Sequence, residues 1–250
     1  MSNVEDYKQK IEEIQAIGDD EIRSPSNIPV DIFLQEAENL YHWCQEDKEE
    51  LTANGLDWEL VLDVPARCGA LREAQSKWIT SRFSQEEAQK RWAEDSPQAY
   101  DMRNEFLHSF RFAYRRLPDL LGRVNAIAHG YGHADMIQDL NDLSVLGKDN
   151  PEPLERINFD MTLLDKAADM ADRMSDLLGV TTVERADSSE SIKIRNKAYT
   201  HLRYAIDEIR AFGLYVFWRD EARYKGYTSE YNRKRRSKRD KEEDTLGFSA

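Results

Sequence analysis

The sequence predicts an all-α protein built as a helical bundle, with a duplicated helical hairpin forming a four-helix core and further helices at the N-terminus. Three observations carry that expectation. Apolar residues recur at steps of three and four along most of the chain, and no segment alternates with a period of two. Gly and Pro are few, 11 and 7 in 250 residues. Charged residues make up 33%, which suits long helices with solvated outer faces.

Taken in order, Val4, Tyr7, Ile11 and Ile14 mark a short amphipathic helix. A turn-like stretch from Gly18 to Pro29 follows, so residues 1–28 read as an N-terminal helix and linker. The bundle domain is expected over 29–231. Val30, Phe33, Ala37, Leu40 and Cys44 form the stripe of a helix that Asn54-Gly55 breaks. Pro65 suits a first helical turn, opening a helix to about Phe83 with Leu71, Ala74 and Trp78 inward. Ser84 with Glu87 reads as a capping box for a short helix, and Ser96-Pro97 as the start of another, with Phe106, Phe110, Ala113 and Leu117 inward. Pro118 ends that helix. Asp119 to Ala128 is helical up to His129-Gly130-Tyr131-Gly132, and Ala134 to Leu146 is closed by Gly147 as a C-cap. Asp160 caps a helix reaching Leu178-Gly179, and Thr181 to Ser189 is a polar connection. The longest stripe, Ala198, Leu202, Ala205, Ile209, Phe212 and Val216, then belongs to a helix over residues 192–218, with Lys197, Arg203, Asp207 and Arg210 on its other faces.

The duplication rests on an offset of 92. Arg103-Asn104 matches Arg195-Asn196, and Arg111-Phe112-Ala113 matches Arg203-Tyr204-Ala205. The preceding helices align at 93, Leu71, Ala74 and Trp78 with Leu164, Ala167 and Ala171, which suggests two packed hairpins.

Net charge is −13, but Arg233 to Lys241 alone carries +6, leaving −19 on the rest. Residues 232–250 have no apolar stripe and read as a basic, disordered tail. An acidic body disfavours nonspecific nucleic-acid or lipid binding. Weak polyanion affinity is therefore expected of the tail alone, through Arg233, Lys234, Arg235, Arg236, Lys238 and Arg239. No apolar run approaches the ~20 residues of a membrane span, and MSNVEDYKQK lacks a signal-peptide core. Cys44 and Cys68 read as reduced, buried thiols of a cytoplasmic protein.

Candidate chemistry is sparse. His129 and His133 with Asp135 could contribute metal ligands, but Gly130 and Gly132 favour a loop with helix-capping acids. Glu105 and His108 have the Glu-x-x-His spacing of di-iron bundles, but the repeat partner of Glu105 is Lys197, and both lie off the inward stripe. Phosphate-loop, dinucleotide-binding, nucleophile-elbow and zinc-protease motifs are all missing, which lowers the expectation of an enzyme. Arg103, Arg111, Arg195 and Arg203 could line an anion seam, though with 48 acids in the chain pairing with carboxylates is the simpler reading. Trp92 and Trp218 lie near predicted helix ends, where exposure for binding is open to them.

The stretch Gly132-His-Ala-Asp-Met-Ile-Gln-Asp-Leu-Asn-Asp-Leu143, the pair Leu146-Gly147, and Tyr215-Val-Phe-Trp-Arg219 resemble segments of an uncharacterised family of bacterial all-helical proteins. The resemblance covers residues from about Leu71 to Tyr227. It implies a helical bundle and a bacterial origin, and brings no activity and no site residues.

The sequence thus leads to a noncatalytic, cytoplasmic interaction or scaffold protein with no cofactor, acting through a protein partner or self-association. A metal- or ligand-binding bundle using His129 to Asp142 is the first alternative. Nucleic-acid association through the basic tail is the second.

Overall fold

The computed structural model describes the backbone of residues 2–247 and the side chains of residues 2–239. Helices α1 (Asn3–Ala16), α2 (Val30–Cys44) and α3 (Lys48–Ala53) precede a very long α4 (Trp58–Ala113). Three shorter helices follow: α5 (Pro118–Ile127), α6 (His133–Asp149) and α7 (Pro151–Glu155). A second very long helix, α8 (Thr162–Val216), leads to α9 (Glu221–Gly226) and α10 (Glu230–Gly247). There is no strand among the described residues, so the fold is all-α.

Two compact units divide the chain, Met1–Thr80 with Ser189–Ala250, and Ser81–Ser188. In the first, α1 packs as an integral part rather than as a separate leader: Ile14 is fully buried with Phe33, Ala37, Leu40, Val64 and Leu71. Leu202, Ala205 and Ile209 of α8 complete that core, as their spacing predicts. Lys197, placed on an outer face by the sequence, is buried instead, because its ammonium reaches the Gln15 carbonyl at 2.9 Å and Asp19 at 3.6 Å. Trp78 is half-buried, with the Arg195 guanidinium 4.3 Å above its ring.

The second unit has its own core, in which Phe106, Phe110 and Tyr114 of the α4 register meet Leu140, Leu143 and Leu164. Phe110 and Tyr114 stack edge-on at 5.4 Å. Gly147 is not a C-cap but an interior residue of α6, where an added Cβ would lie 2.7 Å from Leu164 and 2.9 Å from Phe110. Leu117 is 41% exposed rather than inward, since α4 has already ended at Ala113.

The expected breaks within α4 and α8 do not form. Ser84-Glu87 and Ser96-Pro97 lie inside α4, and Gly179 to Ser189 lies inside α8. Local pairing explains both. Arg82–Glu86 at 2.8 Å and Glu87–Arg91 at 2.6 Å are i,i+4 ion pairs that support a polar helix. Thr181 and Thr182 donate to the carbonyls of Leu177 and Leu178, both at 2.8 Å, and so satisfy their hydroxyls within the helix. Each expected hairpin therefore loses its turn. The residues equated by the offset of 92 also differ in role: Arg103 pairs with buried Asp139, whereas Arg195 stacks on Trp78.

The expected disordered tail is helical over its described part. Ser229 caps α10 by accepting from the Asn232 N–H at 3.2 Å, and Lys234 pairs with Glu230 at 2.6 Å. The Tyr231 N–H donates to Glu36 at 2.8 Å, tying the start of α10 to α2. Residues 248–250 of the predicted tail lie outside the described residues.

Candidate anion-binding site

Helix α8 carries Tyr199, Arg203, Asp207 and Arg210 at steps of four, four and three, so they share one face. Helix α10 carries Asn232, Arg235, Arg236 and Arg239 at steps of three, one and three, again one face. These two faces, with Asn27, Ile28 and Phe33, line a cavity of about 550 Å³ in the first unit. Six cationic side chains, Arg203, Arg210, Arg235, Arg236, Lys238 and Arg239, line it with one carboxylate, Asp207, while a second carboxylate outside the lining, Glu36, pairs with Arg210.

The wall is braced. Arg203 donates to Asp207 at 3.1 Å and to the Tyr199 hydroxyl at 3.4 Å. Burial works against the Arg203 charge, but Asp207 outweighs it and raises the guanidinium pKa. Arg210 donates to Glu36 at 2.8 Å through one terminal nitrogen, while its buried Nε has no hydrogen-bond partner. Glu36 also accepts from the Ser229 hydroxyl at 3.1 Å, so one carboxylate holds both helices that carry the cations. Arg235 donates to the Asn27 carbonyl at 3.3 Å.

Of the tail residues singled out by composition, Arg235, Arg236, Lys238 and Arg239 reach this cavity. Arg233 and Lys234 do not: Arg233 donates to Thr228 at 3.1 Å, and Lys234 pairs with Glu230. Arg210 was missed as a site residue, and Arg203 was considered only in an anion seam with Arg103, Arg111 and Arg195, none of which lines this cavity. The face that Arg203 and Arg210 share with Tyr199 was visible, but nothing in the sequence says that α10 lies opposite it.

The other candidates are placed differently. Asp135 accepts from the Gly132 N–H at 2.7 Å and the Tyr131 N–H at 3.1 Å, closing the first turn of α6. His133 hydrogen-bonds the Tyr100 hydroxyl at 2.8 Å, with its ring 4.7 Å from Trp92. His129 is exposed in the preceding turn. Among the described residues no three His, Cys, Asp or Glu side chains come together as metal ligands would. Glu105 and His108 are exposed. Arg103 and Asp139 form a 2.5 Å pair, and burial raises the Asp139 pKa against the pull of Arg103. Arg111 donates to Asn125 at 3.3 Å, so the four arginines of the offset repeat do not form one seam. Both cysteines are buried and unpaired, and burial pushes each thiol up to about 12, which leaves no thiolate near neutral pH. No helix among the described residues is long and apolar enough to cross a membrane.

A second concavity of about 440 Å³ lies in the other unit. Its two arginines are spent on neighbours, Arg91 on Glu87 and Arg173 on Asp95, and Glu94, Asp176 and Glu184 make it acidic. Comparison with family models, with curated proteins and with solved structures finds no match to this chain.

Proposed function

We propose that the protein is a noncatalytic binding protein that holds a phosphate-bearing polyanion between α8 and α10. The observation that carries this reading is the excess of six lining cations over the two carboxylates that pair with them, Asp207 and Glu36, in a chain whose net charge is −13. Like charges gathered against the global balance raise the local potential and concentrate anions. The volume is that of a small-ligand site rather than a surface dimple. Guanidinium groups suit phosphate because their fork of donors matches its oxygens. The one serine in its lining, Ser229, has its hydroxyl committed to Glu36 and to the Asn232 N–H, so the chemistry that supports a role here is the cationic wall, which binds.

The test separates a built site from a generic polycation. Inorganic polyphosphate is titrated at two salt concentrations against wild type, Arg235→Ala/Arg236→Ala and Arg233→Ala/Lys234→Ala. All three proteins retain Ser229 and Glu230 at the start of α10. The cavity pair is expected to weaken binding at least tenfold and to flatten the salt dependence by about one to two charges. The off-cavity pair is expected to change affinity less than about threefold, the residual long-range field of two exposed charges. Equal losses in the two variants would mean that α10 acts as an undifferentiated basic segment.

A further inference from the structure

The outer face of α8 beside the cavity bears aromatic side chains that packing does not account for. Tyr204 is 42% exposed and Tyr215 70%; just beyond the helix end, Trp218 is 63% exposed. Trp218 is the one exposed tryptophan of the five in the chain. Scattered exposed aromatics are ordinary. These, however, with exposed Ala211 between them, fall at steps of seven, four and three, a single stripe. Tyr204 directly follows Arg203, so the stripe lies roughly 100° around α8 from the cavity face, on the side away from buried Leu202 and Ile209. From Tyr204 to Tyr215 it extends roughly 16 Å at the α-helical rise. The Arg219 guanidinium lies 4.2 Å over the Trp218 ring and adds a cation at its end.

A row of cations beside a row of exposed rings is what a ligand with a charged backbone and flat, unpaired side groups requires. The phosphates follow the cations while the bases lie on the rings. We infer that the polyanion is a single-stranded nucleic acid, its phosphates in the α8–α10 cavity and its bases stacked on Tyr204, Tyr215 and Trp218. This rests on the binding reading above and adds the ligand class to it. A base-paired duplex keeps its bases stacked on one another and cannot offer them to the rings. An acidic peptide or polyphosphate satisfies the cations and leaves the rings unused. Glu208 lies on the same outer face, exposed, and with the acidic body it keeps the affinity modest and strongly salt-dependent.

The test uses the full chain and three probes: a short fluorescent oligouridylate, the same strand annealed to its complement, and inorganic polyphosphate. An oligothymidylate arm tells RNA from DNA as the source of the single strand. Tyr215→Ala/Trp218→Ala removes exposed rings only. It is expected to weaken single-strand binding about tenfold or more, since each stacked base contributes about that factor or better, and to leave polyphosphate binding unchanged. Trp218 emission should be quenched by the single strand and not by polyphosphate. Arg235→Ala/Arg236→Ala should weaken both. Wild-type affinity of the aromatic variant for the single strand, or equal affinity of wild type for the duplex, would overturn the inference alone. So would polyphosphate binding without oligonucleotide binding. Failure of wild type to bind any of the probes would overturn the cavity reading itself.

Discussion

Lys10, Glu13, Asp63, Arg67 and His201 form a knot, buried at Lys10 and His201 and open to solvent at Glu13, that ties α1 to both long helices within the first unit. The Lys10 ammonium is 2.8 Å from Asp63 and 3.0 Å from Glu13. Arg67 is 2.8 Å from the same Asp63 and donates to the His201 carbonyl at 2.7 Å. Burial alone would raise the Asp63 pKa, but Lys10 and Arg67 outweigh it and hold the carboxyl below its usual range. Asp63→Ala would strand two cations together, and is expected to destabilise by about 3 kcal/mol, the lower end for a broken buried pair because Glu13 still reaches Lys10. Denaturant midpoints at constant slope measure it. His201 lies 3.1 Å from Glu13, yet burial, with Arg67 beside it, lowers its pKa from 6.5 to about 4. Between those two pH values the unfolded chain binds a proton that the folded chain refuses. Stability should therefore fall as pH drops from 6.5 toward 4, and His201→Gln should flatten that slope. A wild-type slope unchanged in the variant would assign the proton uptake elsewhere. None of this knot was legible in the sequence. His201 and Lys197 sit one step off the apolar stripe, and only the return of α1 onto α8 shows that these edge positions are covered.

At the scale of elements, local signals were read correctly where a turn needs a special backbone. Gly55 at φ +102° and Pro118 at the start of α5 both stand where the sequence placed breaks. Signals that merely permit a helix start were over-read. Ser84 and Ser96-Pro97 are compatible with caps, but a cap forms only if the preceding residues leave the helix, and i,i+4 pairs such as Arg82–Glu86 keep them in it. Gly179 shows the same competition. It lies inside α8 with nothing within 4 Å of where a Cβ would stand, so its lack of a side chain serves no close approach. Gly179→Ala is expected to stabilise the protein by about 0.5–1 kcal/mol, the helix-propensity difference. A thermal melt lowered by the substitution would indicate that the helix bends or opens there. Gly213 is the contrasting case, because a Cβ would enter the Tyr227 ring that packs on α8.

For the whole molecule, the charge pattern of the sequence was informative and its interpretation was incomplete. The contrast between a basic C-terminal segment and an acidic remainder is plain in composition. That composition cannot reveal that half of the relevant face belongs to α8, since Arg203 and Arg210 lie more than twenty residues upstream of the basic run, in a helix that also carries acids. The central claim is that α8 and α10 hold one anion between them. Amide hydrogen exchange with and without saturating polyphosphate tests it most directly. Exposed charged helices open readily, so the free protein should exchange quickly along α10. Bound anion should slow residues 232–239 and 203–210 together, with α6 in the other unit unaffected. Slowing confined to α10, with 203–210 unchanged, would contradict a shared site.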